Sequence, residues 1–326
     1  MSIIHKSKNE YYIMKKSKDE RKFTMYKPEG KERNDYRYTT QEIYNAQKYG
    51  KTLEGRVSLC TEDHSLIVDL GGAIGEIPKK EAIYPLFNSK TKDIAIISRV
   101  GKPVCFKVCD VYTDAEGKPR AILSRKEAQR ECYDNYISTL SCGDIIEAKI
   151  THIEPFGCFA DIGCGIVSLL PIDCISVSRI ESPLQRFSVG DDIYCVVRQI
   201  DADTGRILLS HKELLGTWEE NASAFSVGQT ACGTIRSVED YGIFVELAPN
   251  LAGLSEPFEG AEPGMTATVF IKNIIPERMK IKLVIIDISN DRLAPADLKY
   301  YIPSSSHLDY WRYTPTECAR VIDTCF

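Results

Sequence analysis

The sequence contains no apolar run near the eighteen or so residues of a membrane-spanning helix, and its first residues, Met1-Ser2-Ile3-Ile4-His5-Lys6, are not those of a signal peptide. A soluble, cytoplasmic chain is expected. Cys-x-x-Cys pairs are also missing. The twelve cysteines are scattered, which argues against a zinc ribbon, a redox pair or a disulfide framework and for reduced, partly buried thiols. The five histidines, His5, His64, His152, His211 and His307, have no metal-ligand spacing, and no phosphate loop, nucleophile elbow or clustered carboxylate set occurs. Asp201 and Asp203 are paired, but in a turn where Asp is favoured for backbone reasons. No enzyme, metal or cofactor is expected.

An excess of positive charge is absent as well. A net charge of −5 and a pI near 5.7 speak against a uniformly basic nucleic-acid-binding domain. The charge is unevenly placed, however. Met1 to Lys48 carries twelve Lys/Arg and seven Asp/Glu, about +5, which leaves about −10 for the remainder. In this stretch Lys15, Lys16, Lys18, Arg21, Lys22, Lys27, Lys31 and Arg33 alternate with Tyr11, Tyr12, Tyr26, Tyr36 and Tyr38 without apolar periodicity. Residues 1–38 are expected to form a disordered basic arm, either touching phosphates or simply solvated.

What the sequence does have is a strand pattern that occurs three times. Gly50 to Val57, Gly143 to Ile150 and Gly228 to Ile235 share a spacing, and in the middle copy Ile146, Ala148 and Ile150 alternate with Glu147, Lys149 and Thr151. Next come His64 to Leu70, Phe156 to Ile162 and Tyr241 to Leu247. In the middle copy Phe156 and Phe159 are three apart, so a regular strand would point them to opposite faces. Gly157 offers a bulge or positive φ that brings both rings to one side. Strands at Ile193–Arg198 and Arg206–Ser210 flank the turn Asp201-Ala202-Asp203-Thr204-Gly205. Helical stretches precede each copy: one after the capping box Thr39/Glu42, one over Arg125–Leu140 and one over Lys212–Phe225, where Trp218 is expected as a packing anchor. A last helix is expected after Thr314-Pro315-Thr316-Glu317, with Cys318, Val321, Ile322 and Cys325 on one stripe and Tyr310, Trp311 and Tyr313 docking it. The units are residues 39–126, 127–212 and 213–290, each a helix plus a barrel, followed by an extension, 291–326.

In this order, three times over, the residues resemble the S1-type RNA-binding domain, an oligonucleotide-binding-fold barrel. The resemblance covers roughly Gly50 to Ile288. The middle copy carries most of it: Gly143-Asp144-Ile145-Ile146-Glu147, Phe156-Gly157-Cys158-Phe159, Leu169-Leu170-Pro171, Val189-Gly190-Asp191 and Ile207-Leu208-Leu209-Ser210-His211-Lys212. The resemblance implies a mainly β chain of three tandem five-stranded antiparallel barrels joined by short helices. It also implies single-stranded RNA as partner, with the rings as stacking platforms and nearby cations on the phosphates. Asp201 and Arg206 match the acidic and basic residues that the family places beside RNA, whereas Pro171 stands where the family usually has histidine. The candidate RNA-binding residues are Phe156, Phe159, Asp201, Arg206, Tyr241, Phe244, Lys272, Arg278 and Lys282. The first copy has His64 and Ile67 at the two ring positions; Ile67 is expected to be packed and the copy to be a spacer or docking module. The function implied is non-catalytic binding of messenger RNA with the small ribosomal subunit in translation. Two alternatives stay open: a protein scaffold of the translation or transcription machinery, and an RNA-binding accessory subunit of an RNA-degrading enzyme.

Overall fold

The computed structural model describes residues 26–31, 35–85, 92–291, 298–304 and 306–326. The arm before Tyr26, with Tyr11, Tyr12 and Lys15 to Lys22, lies outside the described residues, as does Arg33. No helix among the described residues is long and apolar enough to cross a membrane.

Each copy folds into a closed barrel of five strands. The first comprises β1 (Thr52–Cys60), β2 (Leu66–Asp69), β3 (Ile74–Ile77), β4 (Pro103–Thr113) and β5 (Pro119–Ser124). The second comprises β6 (Ile145–Glu154), β7 (Gly157–Asp161), β8 (Val167–Pro171), β9 (Asp192–Ile200) and β10 (Ile207–Ser210). The third comprises β11 (Thr230–Glu239), β12 (Gly242–Ala248), β13 (Leu251–Ser255), β14 (Thr266–Ile275) and β15 (Lys280–Ser289). The expectation of wholly antiparallel barrels needs one correction, because β3–β5, β8–β10 and β13–β15 pair parallel. A ring of five strands cannot alternate direction all the way round, so one pair must be parallel. The period-two alternation does what it promised: Ile146, Ala148 and Ile150 are buried in the second barrel's core, and each barrel has its own apolar cluster.

The first lead-in is α1 (Thr40–Tyr49), with the Thr39/Glu42 capping box formed and Gly50 closing it at φ +59°. A short α2 (Asp93–Ile97) crosses the first barrel's long connection. The second lead-in is α3 (Arg125–Asn135), capped by Ser124, and its Ala128 and Cys132 join the second barrel's core. The helix expected over Lys212–Phe225 is broken instead. A 3₁₀ turn (Lys212–Leu215) gives way at Gly216 to α4 (Trp218–Ala222). Gly216 has φ +82°, and a Cβ there would lie 2.6 Å from the Tyr301 ring, so the site demands glycine and glycine ends the helix. Trp218 is an anchor, 2% exposed, in the third barrel's cluster with Trp311 and Tyr313.

Two expectations fail at the ends of the chain. The last residues form no helix: β16 (Tyr310–Arg312) pairs with β17 (Asp323–Cys325), and Trp311 and Tyr313 dock this hairpin on the third barrel. The Thr314 hydroxyl accepts the N–H of Ile322 (3.4 Å) and Arg312 Nε (3.3 Å), so it serves the turn between the strands rather than a helix start. A helix this short is marginal without a packed face, and here Val321 is 55% exposed.

The second failure is confined to the described end of the arm. Residues 26–31 form a strap between the first two barrels. The Tyr26 ring stacks on Tyr136 at 6.2 Å, and its hydroxyl donates to Glu131 (3.1 Å). The buried Glu29 carboxylate accepts Arg125 Nε (2.8 Å) and Nη2 (3.0 Å) and the Cys105 N–H (3.1 Å), while the Glu29 N–H donates to Asp161 (2.7 Å). Lys31 pairs with Glu147 at 2.9 Å. The physical reason is Arg125, whose side chain is 3% exposed: a guanidinium taken out of water needs a carboxylate, and Glu29 supplies it.

Because Arg125 would be left buried and uncompensated, Glu29→Ala should cost about 3–5 kcal/mol of stability, read as a shifted urea midpoint. An unchanged midpoint would show the strap to be dispensable. Asp161, also buried in this seam, has its pKa pushed up to about 7, first by burial and then by the Glu29 charge. A carboxyl raised in the folded state contributes its full stability below its ordinary value of about 4, and that contribution is lost as pH rises through about 7. The melting temperature should therefore fall between about pH 5 and pH 7.5; a flat or rising profile over that range contradicts the assignment.

Candidate nucleic-acid interface

The second strand of the middle barrel starts immediately after Phe156, and at Gly157 an added Cβ would lie 2.4 Å from the Leu170 carbonyl oxygen. Only glycine lets β7 run this close to β8 at its first residue. The Phe156 and Phe159 rings meet edge to face, with centroids 6.1 Å apart and planes at 89°. They share one side, as the glycine argument anticipated, but the extra residue lies on the neighbouring strand. The β6–β7 register shifts between Ile150 and His152, which sets His152 opposite Phe159. Those two rings lie 6.3 Å apart at 28°, and His152 Nε2 is 2.7 Å from Glu154. Sequence reasoning counted His152 only as one of five dispersed histidines; its place at the end of β6, across the hairpin from the rings, was the available signal.

The third barrel repeats the construction. A Cβ on Gly242 would sit 2.3 Å from the Ser255 carbonyl oxygen, and the Tyr241 and Phe244 rings meet at 6.2 Å and 87°. The β11–β12 register shifts between Ile235 and Ser237, setting Ser237 opposite Phe244. Phe156 and Tyr241 are 55% and 67% exposed, Phe159 and Phe244 are half-buried, and none of the four belongs to a core cluster.

Strand pairing carries each site across its barrel as a row of outward residues. In the second barrel the row is Phe159, Leu169, Leu208 and Gln199. In the third it is Phe244, Leu254, Lys282 and Asn273. In the first it is Ile67, Glu76, Ile122 and Asp110, with two carboxylates and no ring. Ile67, expected to be packed, is half-buried on this outer face, outside the first barrel's core cluster. His64 sits at φ +64° with Nδ1 3.1 Å from Lys79 Nζ, and Lys79 pairs with Asp93 at 2.8 Å.

The remaining candidates lie in the closing hairpins. The Asp201 carboxylate accepts the backbone N–H groups of Thr204 (2.8 Å) and Asp203 (3.0 Å), and the Thr204 contacts hold its pKa below the ordinary carboxylate value. Its carboxylate shapes the turn that presents Arg206. Arg206 is exposed and has no ion pair among the described residues; with Phe159, Leu208, Tyr133 and Ile137 it lines a cleft of about 440 Å³. In the third barrel Lys272 occupies a register shift between Ile271 and Asn273, and Arg278 ends the 3₁₀ turn Pro276–Arg278. Lys280 precedes Ile281 as Arg206 precedes Ile207, and Ile281 and Ile207 face Ile274 and Ile200 in equivalent pairs, so Lys280 joins the candidates by position. Lys272, Arg278, Lys280 and Lys282 are all exposed and carry no ion pair among the described residues. Arg198, at the register shift in the second barrel, is partly engaged by Asp173 at 3.8 Å.

The family model described as the S1 RNA binding domain matches residues 140–212. The small ribosomal subunit protein bS1 of Staphylococcus aureus strain COL is 33% identical over 182 residues, 51% of this chain and 46% of that protein. The bS1 of Leuconostoc lactis is 29% identical over 273 residues, 78% of this chain and 60% of that protein. The chain thus spans about half the length of the curated relatives it matches. Among solved structures, a multidomain protein with nucleic acid binding domains from Streptococcus pneumoniae aligns over 75% of this chain and 76% of its own, at 16% identity and a TM-score of 0.25. Residues 140–212, which contain the second barrel and its ring pair, thus match the S1 RNA binding domain, and the chain is similar to bS1.

Proposed function

We propose that this chain is a non-catalytic cytoplasmic protein that binds single-stranded RNA, messenger RNA above all, and works in translation with the small ribosomal subunit. One observation carries this: two edge-to-face ring pairs, outside the cores, occupy equivalent places on two barrels, each near an exposed cation, Arg206 or Lys282, that has no ion pair among the described residues. Base faces stack on Phe156, Phe159, Tyr241 and Phe244, and phosphates meet Arg206, Lys272, Arg278 and Lys282, a combination that tolerates any base sequence. Asp201 acts by shaping the turn that holds Arg206. The first barrel is a spacer, because its equivalent row carries Glu76 and Asp110, which repel phosphate.

Stacking needs bases free of a duplex, and phosphate contacts release counterions. An unstructured RNA should therefore bind more tightly than a duplex of equal length, with affinity falling steeply with salt. A preference for duplex, or no salt dependence, would favour a protein scaffold instead.

The rings also separate binding from packing. Phe159→Ala and Phe244→Ala should each lose on the order of 1–3 kcal/mol of single-strand affinity with little change in melting temperature. Had they been core residues, the cavities would cost roughly 3–5 kcal/mol of fold stability. Ile67→Ala, on the row without rings, should leave RNA affinity unchanged. Affinity unaffected by both phenylalanine variants, measured on the folded protein, would refute the proposed site.

A further inference from the structure

Next to the ring row, the first, fourth and fifth strands of every barrel carry a second outward row: Thr52, Lys107 and Ser124 in the first, Ile145, Val196 and Ser210 in the second, and Thr230, Phe270 and Val284 in the third. In two barrels the chain covers it. Helix α3 starts directly after Ser124, and its Glu131 pairs with Lys107 at 2.6 Å. Val196 and Ser210 are both 0% exposed, with Leu214 and Leu308 packed on Val196. The described residues after the third barrel lie elsewhere: the Tyr301 N–H donates to the Leu214 carbonyl and the Leu308 N–H to the Gly143 carbonyl, both at 2.9 Å, on the second barrel, while Trp311 and Tyr313 join the third barrel's own cluster. Phe270, Val284 and Ile286 are consequently 37%, 41% and 55% exposed.

This open face adjoins the ring row. Val284 follows Lys282 by two residues on the outward side of β15, and Phe270 precedes the bulged Lys272 by two on β14. Three apolar side chains fall far short of the roughly 800 Å² per partner that a stable protein interface buries. A nucleobase needs only one ring face with a cation near its phosphate.

Resting on the RNA reading above, we propose that the path on the third barrel runs from Tyr241 and Phe244 past Lys282 and Lys272 to Phe270, which stacks a further base. The second barrel has no such continuation, since Val196 in the same place is buried. The third barrel therefore holds a longer stretch of RNA than the second.

The test uses the full chain carrying Phe159→Ala, so that binding reports mainly the third barrel, with oligouridylates of about four to twelve nucleotides as probes. Adding Phe270→Ala should leave the shortest strands unaffected and weaken the longest roughly tenfold, whereas adding Phe244→Ala should weaken all lengths. Phe270→Trp should retain the length dependence, and melting temperatures should stay level, which separates lost stacking from lost folding. If Phe244→Ala weakens binding and Phe270→Ala does not at any length, the extension is wrong and the RNA reading stands. If neither does, both fall. If Phe270→Ala leaves RNA affinity intact but converts a dimer to a monomer in sedimentation, the patch is a self-association contact and the proposal is overturned.

Discussion

The candidate sites depend on one close backbone approach, that of the second strand's first residue to the third strand's carbonyl. At Gly157 and Gly242 there is no room for a Cβ, and the ring that precedes each glycine is thereby delivered to the rim of the barrel beside the ring three residues later. The first barrel shows what happens without glycine. Ser65 stands in that place, β2 begins one residue later at Leu66, and the departure from ordinary backbone falls on His64, at φ +64°. A non-glycine residue in that conformation costs energy, and here the hydroxyl and N–H of Ser65 are held by Asp63 and Thr61. The loss of rings and the loss of glycine in the first copy are parts of one local rearrangement.

Net charge misleads for such a surface, because a phosphate within a Debye length responds to nearby side chains and not to the whole chain. At −5 overall, the protein still places Lys272, Arg278, Lys280 and Lys282 together on the third barrel and leaves them unpaired among the described residues. The first barrel's row carries Glu76 and Asp110, and the basic Arg120 of its closing hairpin is taken up by Asp114 at 2.8 Å. On the proposed reading, three copies of one backbone differ in function through what stands at a few outward register positions.

Much of this was legible in the sequence because the information was local. Period-two alternation gave the strands, Thr39 with Glu42 and Gly50 gave the first helix, and the ring spacing around Gly157 gave the paired aromatics. What escaped depends on contacts distant in sequence. Glu29 meets Arg125 across 96 positions, and nothing in a stretch of lysines and tyrosines marks one glutamate as the partner of a buried arginine. The final hairpin escaped because Thr314 and Glu317 have the spacing of a helix start, while the pairing of Trp311 with Thr324 decided otherwise. His152 escaped because a one-residue register shift, which no periodicity reveals, turned it towards Phe159.

Both seams between barrels carry a buried arginine–glutamate pair, and what the second seam adds bears on how the ring pairs cooperate. Between the first and second barrels the bond is ionic and borrowed from the strap, with Asp161 as a buried, pH-sensitive member. Between the second and third, the buried Arg186 of one barrel pairs with Glu246 of the other, which Arg236 also reaches at 2.9 Å, and a neutral polar node is added. Asn250, 0% exposed, accepts the Val177 N–H (2.9 Å), donates to the carbonyls of Lys212 (2.8 Å) and Gly216 (3.0 Å), and offers its own carbonyl to the Tyr313 hydroxyl. The oxygen and both donated hydrogens of that side-chain amide are thus engaged with backbone groups. The two barrels with ring pairs are thereby tied to each other and to the terminal hairpin. On the RNA reading, a strand held by one barrel meets the other at a raised effective concentration, without first ordering a flexible linker.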